Sequence, residues 1–231
     1  MKLLGIIGGT GPESTIEYYR AIIALYRARI SDGSYPRMII SSVDVKSVLG
    51  LVGTNELSRL AEVLAEEVNR LARAGAEVAL FAANTPHIVF DEVRRVSPIP
   101  LISIIEETRD AALRQNIHTA ALLGTRFTMT GTFYQDVFTP AGITIVVPNE
   151  DEQRFVHDKY MTELIGGATI AETKAEILRI IARMRERSGI EAVIVGGTEL
   201  SLILREDEYD GVVVLDTTRI HVESAVNAMV G

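Results

Sequence analysis

No cysteine occurs among the 231 residues. A disulfide, a thiolate metal site, a thiol nucleophile and a thiol base are therefore all excluded. Positive charge is also short: 23 lysines and arginines face 31 aspartates and glutamates, a formal net charge of −8 at pH 7. No run of basic residues offsets that balance, which argues against nucleic acid as a partner. Long apolar runs are missing too. The longest are strand-sized and broken by glycine or charge, far short of the roughly 20 residues that span a bilayer. The opening Met1–Gly9 is too brief a hydrophobic stretch for a signal peptide, and a Gly-Gly-Thr-Gly turn follows at once. The expectation is a soluble cytoplasmic protein with no membrane partner. At 47% hydrophobic and 23% charged residues, the chain resembles neither a disordered protein nor a disulfide-stapled one.

Seven short runs rich in Val, Ile and Leu read as buried strands: Leu3–Ile7, Met38–Val43, Val78–Phe81, Ala120–Leu123, Ile143–Val147, Ala192–Val195 and Val212–Leu215. They are continuous rather than alternating, the pattern of parallel strands covered on both faces. Helical periods lie between them, over Glu13–Arg29, Asn55–Ala74 and Ala171–Arg187. Pro12 starts the first of these, and Gly75 and Gly189 follow the other two as left-handed stops. Asp151–Tyr160, dense in charge, reads as a solvated helix face or as part of a lid helix.

The chain also repeats itself weakly. Ala74–Phe81 resembles Ser188–Val195, and Leu4–Thr10 resembles Ala120–Thr125, at an offset of about 115 residues. The reading is an α/β fold of two pseudo-symmetric lobes, each a parallel sheet flanked by helices, with a ligand cleft between the lobes. Ligands of open parallel sheets bind beyond the carboxyl ends of the strands, where the polar turns lie. Taking Ser97–Pro100 and Glu206–Gly211 as the crossings places residues 1–98 and 208–231 in the first lobe and 99–207 in the second. The last strand and helix would then both return to the first lobe.

Four turns carry the candidate chemistry. Gly8-Gly9-Thr10-Gly11-Pro12-Glu13-Ser14-Thr15 is a glycine turn at a helix N-terminus, suited to an anion. It lacks the spacing and lysine of a nucleotide loop. Asn84-Thr85-Pro86-His87 offers amide and hydroxyl donors to a carboxylate. His87 is either a proton carrier or a helix histidine held by a neighbouring carbonyl. Thr125, Arg126 and Thr128 supply two hydroxyls and a guanidinium that can grip a carboxylate. In Gly196-Gly197-Thr198-Glu199, Thr198 is a donor, and Glu199 is either a base or a glutamate favoured by the helix dipole. His118, His157 and His221 form no metal spacing.

These motifs, followed by Asp216-Thr217-x-x-Ile220-His221, stand in the order found in cofactor-independent aspartate/glutamate racemases, and the chain resembles that family over nearly its whole length. The resemblance implies two lobes, an amino acid bound without cofactor or metal, and a homodimer. It also implies two thiols, one per lobe, that exchange the Cα proton on opposite faces of the substrate. Their positions are Ala83 and Gly197, and neither side chain titrates. Three readings follow. One is a racemase-type isomerase of an acidic amino acid with substitute groups, drawn from Glu199, His87 and Asp44. Another is a one-base isomerisation or elimination. The third is a binder of an amino acid or dicarboxylate. Thr10, Ser14, Asn84, Thr85, Thr125, Arg126, Thr128 and Thr198 serve the ligand in all three.

Overall fold

All seven apolar runs form strands in the computed structural model, which describes residues 1–231. β1 (Leu4–Gly8), β2 (Met38–Ser42), β3 (Val78–Phe81) and β4 (Leu101–Ile102) make one parallel sheet in the order β2-β1-β3-β4. β5 (Thr119–Leu123), β6 (Thr144–Val146), β7 (Ala192–Val195), β8 (Glu208–Tyr209) and β9 (Val212–Asp216) make a second, in the order β6-β5-β7-β9-β8. Its pairs are parallel except β8 with β9. The weak sequence repeat corresponds to a topological one. β1 lies between β2 and β3 as β5 lies between β6 and β7, with Leu4 opposite Val78 and Ala120 opposite Ala192. No helix is long and apolar enough to cross a membrane.

The chain divides into two compact units, residues 1–107 with 218–231, and residues 108–217. The crossings thus lie inside α5 (Ile104–Arg114) and at the start of α10 (Thr217–Val230), not at Ser97–Pro100 and Glu206–Gly211. Strand pairing accounts for the difference. Just past the prolines, Leu101 and Ile102 pair with Ala79 and Leu80, which keeps the segment in the first sheet. Val212–Asp216 pairs along its length with β7, so the last strand stays in the second unit and the last helix alone joins the first.

In the first unit, α1 (Pro12–Arg29) buries Ser14, Tyr18, Ile22 and Tyr26, one residue per turn. Together with Val222, Val226 and Met229 of α10, these residues cover one face of β1 and β3. α2 (Val45–Gly53), α3 (Leu57–Arg73) and α4 (Phe90–Val96) cover the other, with Leu60, Leu64, Val68 and Leu71 packed against Ile7, Ala79 and Phe81. Gly75, with φ +99°, ends the turn after α3. In the second unit, α8 (Glu150–Thr162) and α9 (Ala171–Ser188) pack on β5, β7 and β9.

The predicted solvated face of α8 is only part of that helix. Glu152, Val156 and Tyr160, spaced four apart, are buried. Glu152 closes a capping box with Asn149 and accepts from Arg183 (2.9 Å) and Arg187 (2.7 Å). Burial alone raises a carboxyl pKa, but these cations and the Asn149 amide hold Glu152 at about 2.

His87 is not placed to carry protons. It is buried, and its Nε2 accepts from the Ile104 amide at 3.1 Å, so Nδ1 carries the hydrogen and donates to Ala83 O at 3.0 Å. Its ring stacks on Phe90 and meets His221 edge to face. His221 is equally committed: Nε2 donates to Ile102 O (3.0 Å) and Nδ1 accepts from the Tyr18 hydroxyl (2.9 Å). Burial, then the neighbouring His221, lowers His87 to about 3, and burial lowers His221 to about 4.

Both rings stay neutral when folded, whereas in the unfolded chain they take up protons near pH 6.5. Stability present above pH 6.5 is therefore lost as pH falls toward 4, by up to about 1.4 kcal/mol per pH unit for each ring. Denaturant melts at pH 7, 6, 5 and 4 should show this slope, and His221→Phe should reduce it. At pH 7, Glu152→Ala, which takes the carboxylate from Arg187 and leaves Arg183 with Glu176 alone, should cost about 2 kcal/mol. Asn149→Ala should cost only about 1 kcal/mol. The same melts measure both.

Candidate active site

At the end of β1 the chain turns through Gly9, whose φ of +89° is left-handed. A Cβ there would meet Val43 O at 2.2 Å, so only glycine fits against the chain leaving β2. Thr15 fastens this turn, accepting from the Gly9 amide (2.9 Å) and donating to Gly11 O (3.1 Å). Helix α1 begins here, with Gly11 as N-cap and no side-chain cap. Its first-turn amides and the buried Thr10 Oγ1, which has no hydrogen-bond partner, are the donors this turn presents. Ser14 is not free to serve in the same way. It is buried, and its hydroxyl donates to Ala82 O at 2.7 Å, tying α1 to the end of β3.

The chain leaves β3 through Ala82 and Ala83 into a short 3-10 helix, Thr85–Val89. Asn84 is buried, with its carbonyl accepting from the His87 amide, while Ala83 and Thr85 are half-buried. Asp44 stands apart as the N-cap of α2. Its carboxylate accepts from the Lys46 and Ser47 amides (3.2 Å each) and from the Ser47 hydroxyl (2.7 Å). The Ser47 hydroxyl above all lowers its pKa. A carboxylate so engaged at an exposed cap is a poor base. The first unit thus supplies donors, while its two predicted proton carriers are occupied by the fold.

In the second unit two glycine turns pack on each other. A Cβ on Gly124 would lie 2.9 Å from Gly196 O, and the Gly196 amide donates to Leu123 O at 2.7 Å. Thr125 caps α6 (Arg126–Thr130), accepting from the Thr128 amide at 3.4 Å, and the two threonine hydroxyls lie 3.1 Å apart. Thr128 is buried, its methyl group packed between the glycines. Its predicted role as a ligand donor gives way to a structural one. Arg126 is exposed and lines a cavity of about 200 Å³ with Thr130, Glu150, Gln153 and Arg154. Its amide donates to His157 Nδ1 of α8 at 3.1 Å.

Glu199 lies in the 3-10 helix Thr198–Leu202 that follows β7, and it is buried. Its Oε2 accepts from the Thr198 hydroxyl (2.7 Å) and from the Tyr160 hydroxyl. Tyr160 is the residue that sequence reasoning missed. Its ring lies against Gly197, where an added Cβ would sit 2.6 Å from the ring's Cε2 and 3.2 Å from its hydroxyl oxygen. Burial first, then the charge of Glu199, pushes the phenol pKa well above its usual value, so Tyr160 stays a neutral donor. The signal available in the sequence was the spacing of Glu152, Val156 and Tyr160 on one helix face. A buried tyrosine there needs a partner for its hydroxyl.

The chain matches the family described as Asp/Glu/Hydantoin racemase over residues 7–225. Among solved structures it is similar, over the whole of both chains, to an aspartate racemase homologue from Pyrococcus horikoshii OT3, with 37% identity and a TM-score of 0.87. It shares the fold of the Picrophilus torridus aspartate racemase, covering 99% of this chain and 94% of that one, with a TM-score of 0.81 at 21% identity. A broad specificity amino-acid racemase of Bacillus subtilis (strain 168), RacX, is 26% identical over 152 residues. That match spans 62% of this chain and 63% of the relative, a little under two thirds of the relative's length. With nearly its whole length matched, the chain belongs to the Asp/Glu/hydantoin racemase family.

Proposed function

We propose that this protein acts on an acidic amino acid of the aspartate/glutamate class, without a cofactor, and transfers a proton at Cα from one side only, as a one-base isomerisation or elimination requires. The observation that carries this reading is the asymmetry of the acid–base groups. In the first unit Ala83 has no titratable group, His87 bridges two backbone groups, and Asp44 caps a helix. In the second unit Glu199, beside Gly197, keeps a carboxylate at the strand-end turn. Each well-placed acid or base contributes about 10²–10⁴-fold to a proton transfer. A reaction needing one on each face of Cα is therefore slowed severely, while a reaction needing one is not.

The donors proposed for a ligand carboxylate are helix-start amides and side chains: Thr10, Asn84 and Thr85 in the first unit, and Thr125 and Arg126 in the second, where the Thr198 hydroxyl is engaged with Glu199. A homodimer in the cytoplasm belongs to the same proposal, on the strength of the family resemblance. A second reading, binding without turnover, uses the same donors. Glu199 favours turnover, because a pure binder of dicarboxylates gains nothing from a carboxylate beside its anion site.

The test is to incubate the protein in D₂O with L- and D-aspartate and L- and D-glutamate. Loss of the α-proton signal is followed by NMR, and handedness by chiral chromatography. The expected result is deuterium at Cα of one enantiomer with its configuration kept. Inversion at a rate comparable to exchange would show a second acid–base group and sink the one-sided reading. A ligand-induced rise in melting temperature with no exchange would establish the binder instead.

A further inference from the structure

Tyr160 and Gly197 fit each other in a way neither residue explains alone. The glycine backbone at 197 is extended, with φ −148°, a conformation open to any residue, so the backbone does not require glycine. The obstacle is the Tyr160 ring, 2.6 Å from where a Cβ would stand. A side chain at 197 and an aromatic ring at 160 exclude each other. The ring also brings a hydroxyl to within 3.2 Å of that missing Cβ, and the hydroxyl is bonded to Glu199. Both hydrogen bonds to Glu199 fall on Oε2, and none falls on Oε1.

We propose that Tyr160 is a positioning residue for the reaction: its hydroxyl holds Oε2 of Glu199 so that Oε1 is presented as the base, and its ring takes the room left by the missing side chain at 197. This inference rests on the one-sided reading above and names the group that carries it. In the step itself the Cα–H bond breaks and its proton forms an O–H bond with Oε1 of Glu199. The electron pair moves into the substrate carboxylate as an enediolate. On return the same proton, or one exchanged with solvent, goes back to the same face of Cα. Tyr160 keeps its proton throughout and, with Thr198, fixes the orientation of the base. Removing a donor frees the carboxylate to turn, so the loss falls on kcat and not on KM, a split that a purely packing role for the ring does not produce.

The experiment is the D₂O exchange assay with L- and D-aspartate and L- and D-glutamate, run from pH 4 to 9 on the wild type and on Tyr160→Phe, Thr198→Val and Glu199→Gln, with melting temperature as a control on folding. Tyr160→Phe keeps the ring against Gly197. It is expected to lower exchange at saturating amino acid about tenfold, with KM and the ligand-induced melting shift retained. Thr198→Val, which removes the other donor, is expected to lower it in the same way. Glu199→Gln is expected to lower exchange by about 10²-fold or more at every pH. If the wild type exchanges but Tyr160→Phe and Thr198→Val leave the saturated rate in place, or Glu199→Gln leaves the rate unchanged, this inference is overturned and the one-sided reading stands. If the wild type exchanges none of the four amino acids, the one-sided reading fails and takes this inference with it.

Discussion

The functional turns are governed by how closely backbone can approach its neighbours where parallel strands end. At Gly9 the chain turns against Val43, and at Gly124 and Gly196 two turns lie in mutual contact; a single methyl group collides with backbone at Gly9 and Gly124, and with the Leu122 and Thr128 side chains at Gly196. These contacts put helix starts and their unpaired amides beside the strand ends, which is what a carboxylate ligand requires. The same closeness leaves little room for functional side chains. Each one present must either point away from the turn or displace something. At Gly197 the balance is reversed: the backbone tolerates a side chain, and a neighbouring aromatic ring has taken its room.

The fold was largely legible because burial on both faces writes itself as continuous apolar runs, and all seven such runs are strands. The internal repeat was legible for the same reason, since strands with the same neighbours carry similar runs. What escaped notice was too short or too polar to leave a period. Leu101–Ile102 and Glu208–Tyr209 are two-residue strands that exist only through their pairing with longer ones. They sit where prolines and charges suggested crossings, so the unit boundaries moved with them. On α8 the buried stripe was hidden because one of its members is a glutamate, buried at the meeting point of two arginines.

The candidate site was legible as a set of positions and much less so as a set of roles. Residue type told which side chains had hydroxyls, amides or carboxylates. It did not tell which of them the fold had already engaged. Ser14 closes on Ala82, Thr128 fills the space between two glycines, Asp44 caps a helix, and His87 spans two backbone groups. Thr10, by contrast, keeps a buried hydroxyl oxygen with no partner inside the protein. Glu199 was visible as a carboxylate near the turn, but the phenol that holds it comes from a helix about 40 positions earlier. No local pattern joins them.

The second crossing has a consequence for how the chain is made. Residues 108–217 form an uninterrupted unit, whereas residues 1–107 are completed only by 218–231. The hydroxyl of Tyr18 finds its imidazole acceptor in α10, 203 positions further along the chain. Until then α1 and the first sheet lack the cover of Val222, Val226 and Met229, so their apolar face stays open during translation. The earlier unit therefore depends for its core on a segment that the chain reaches only after the whole of the second unit.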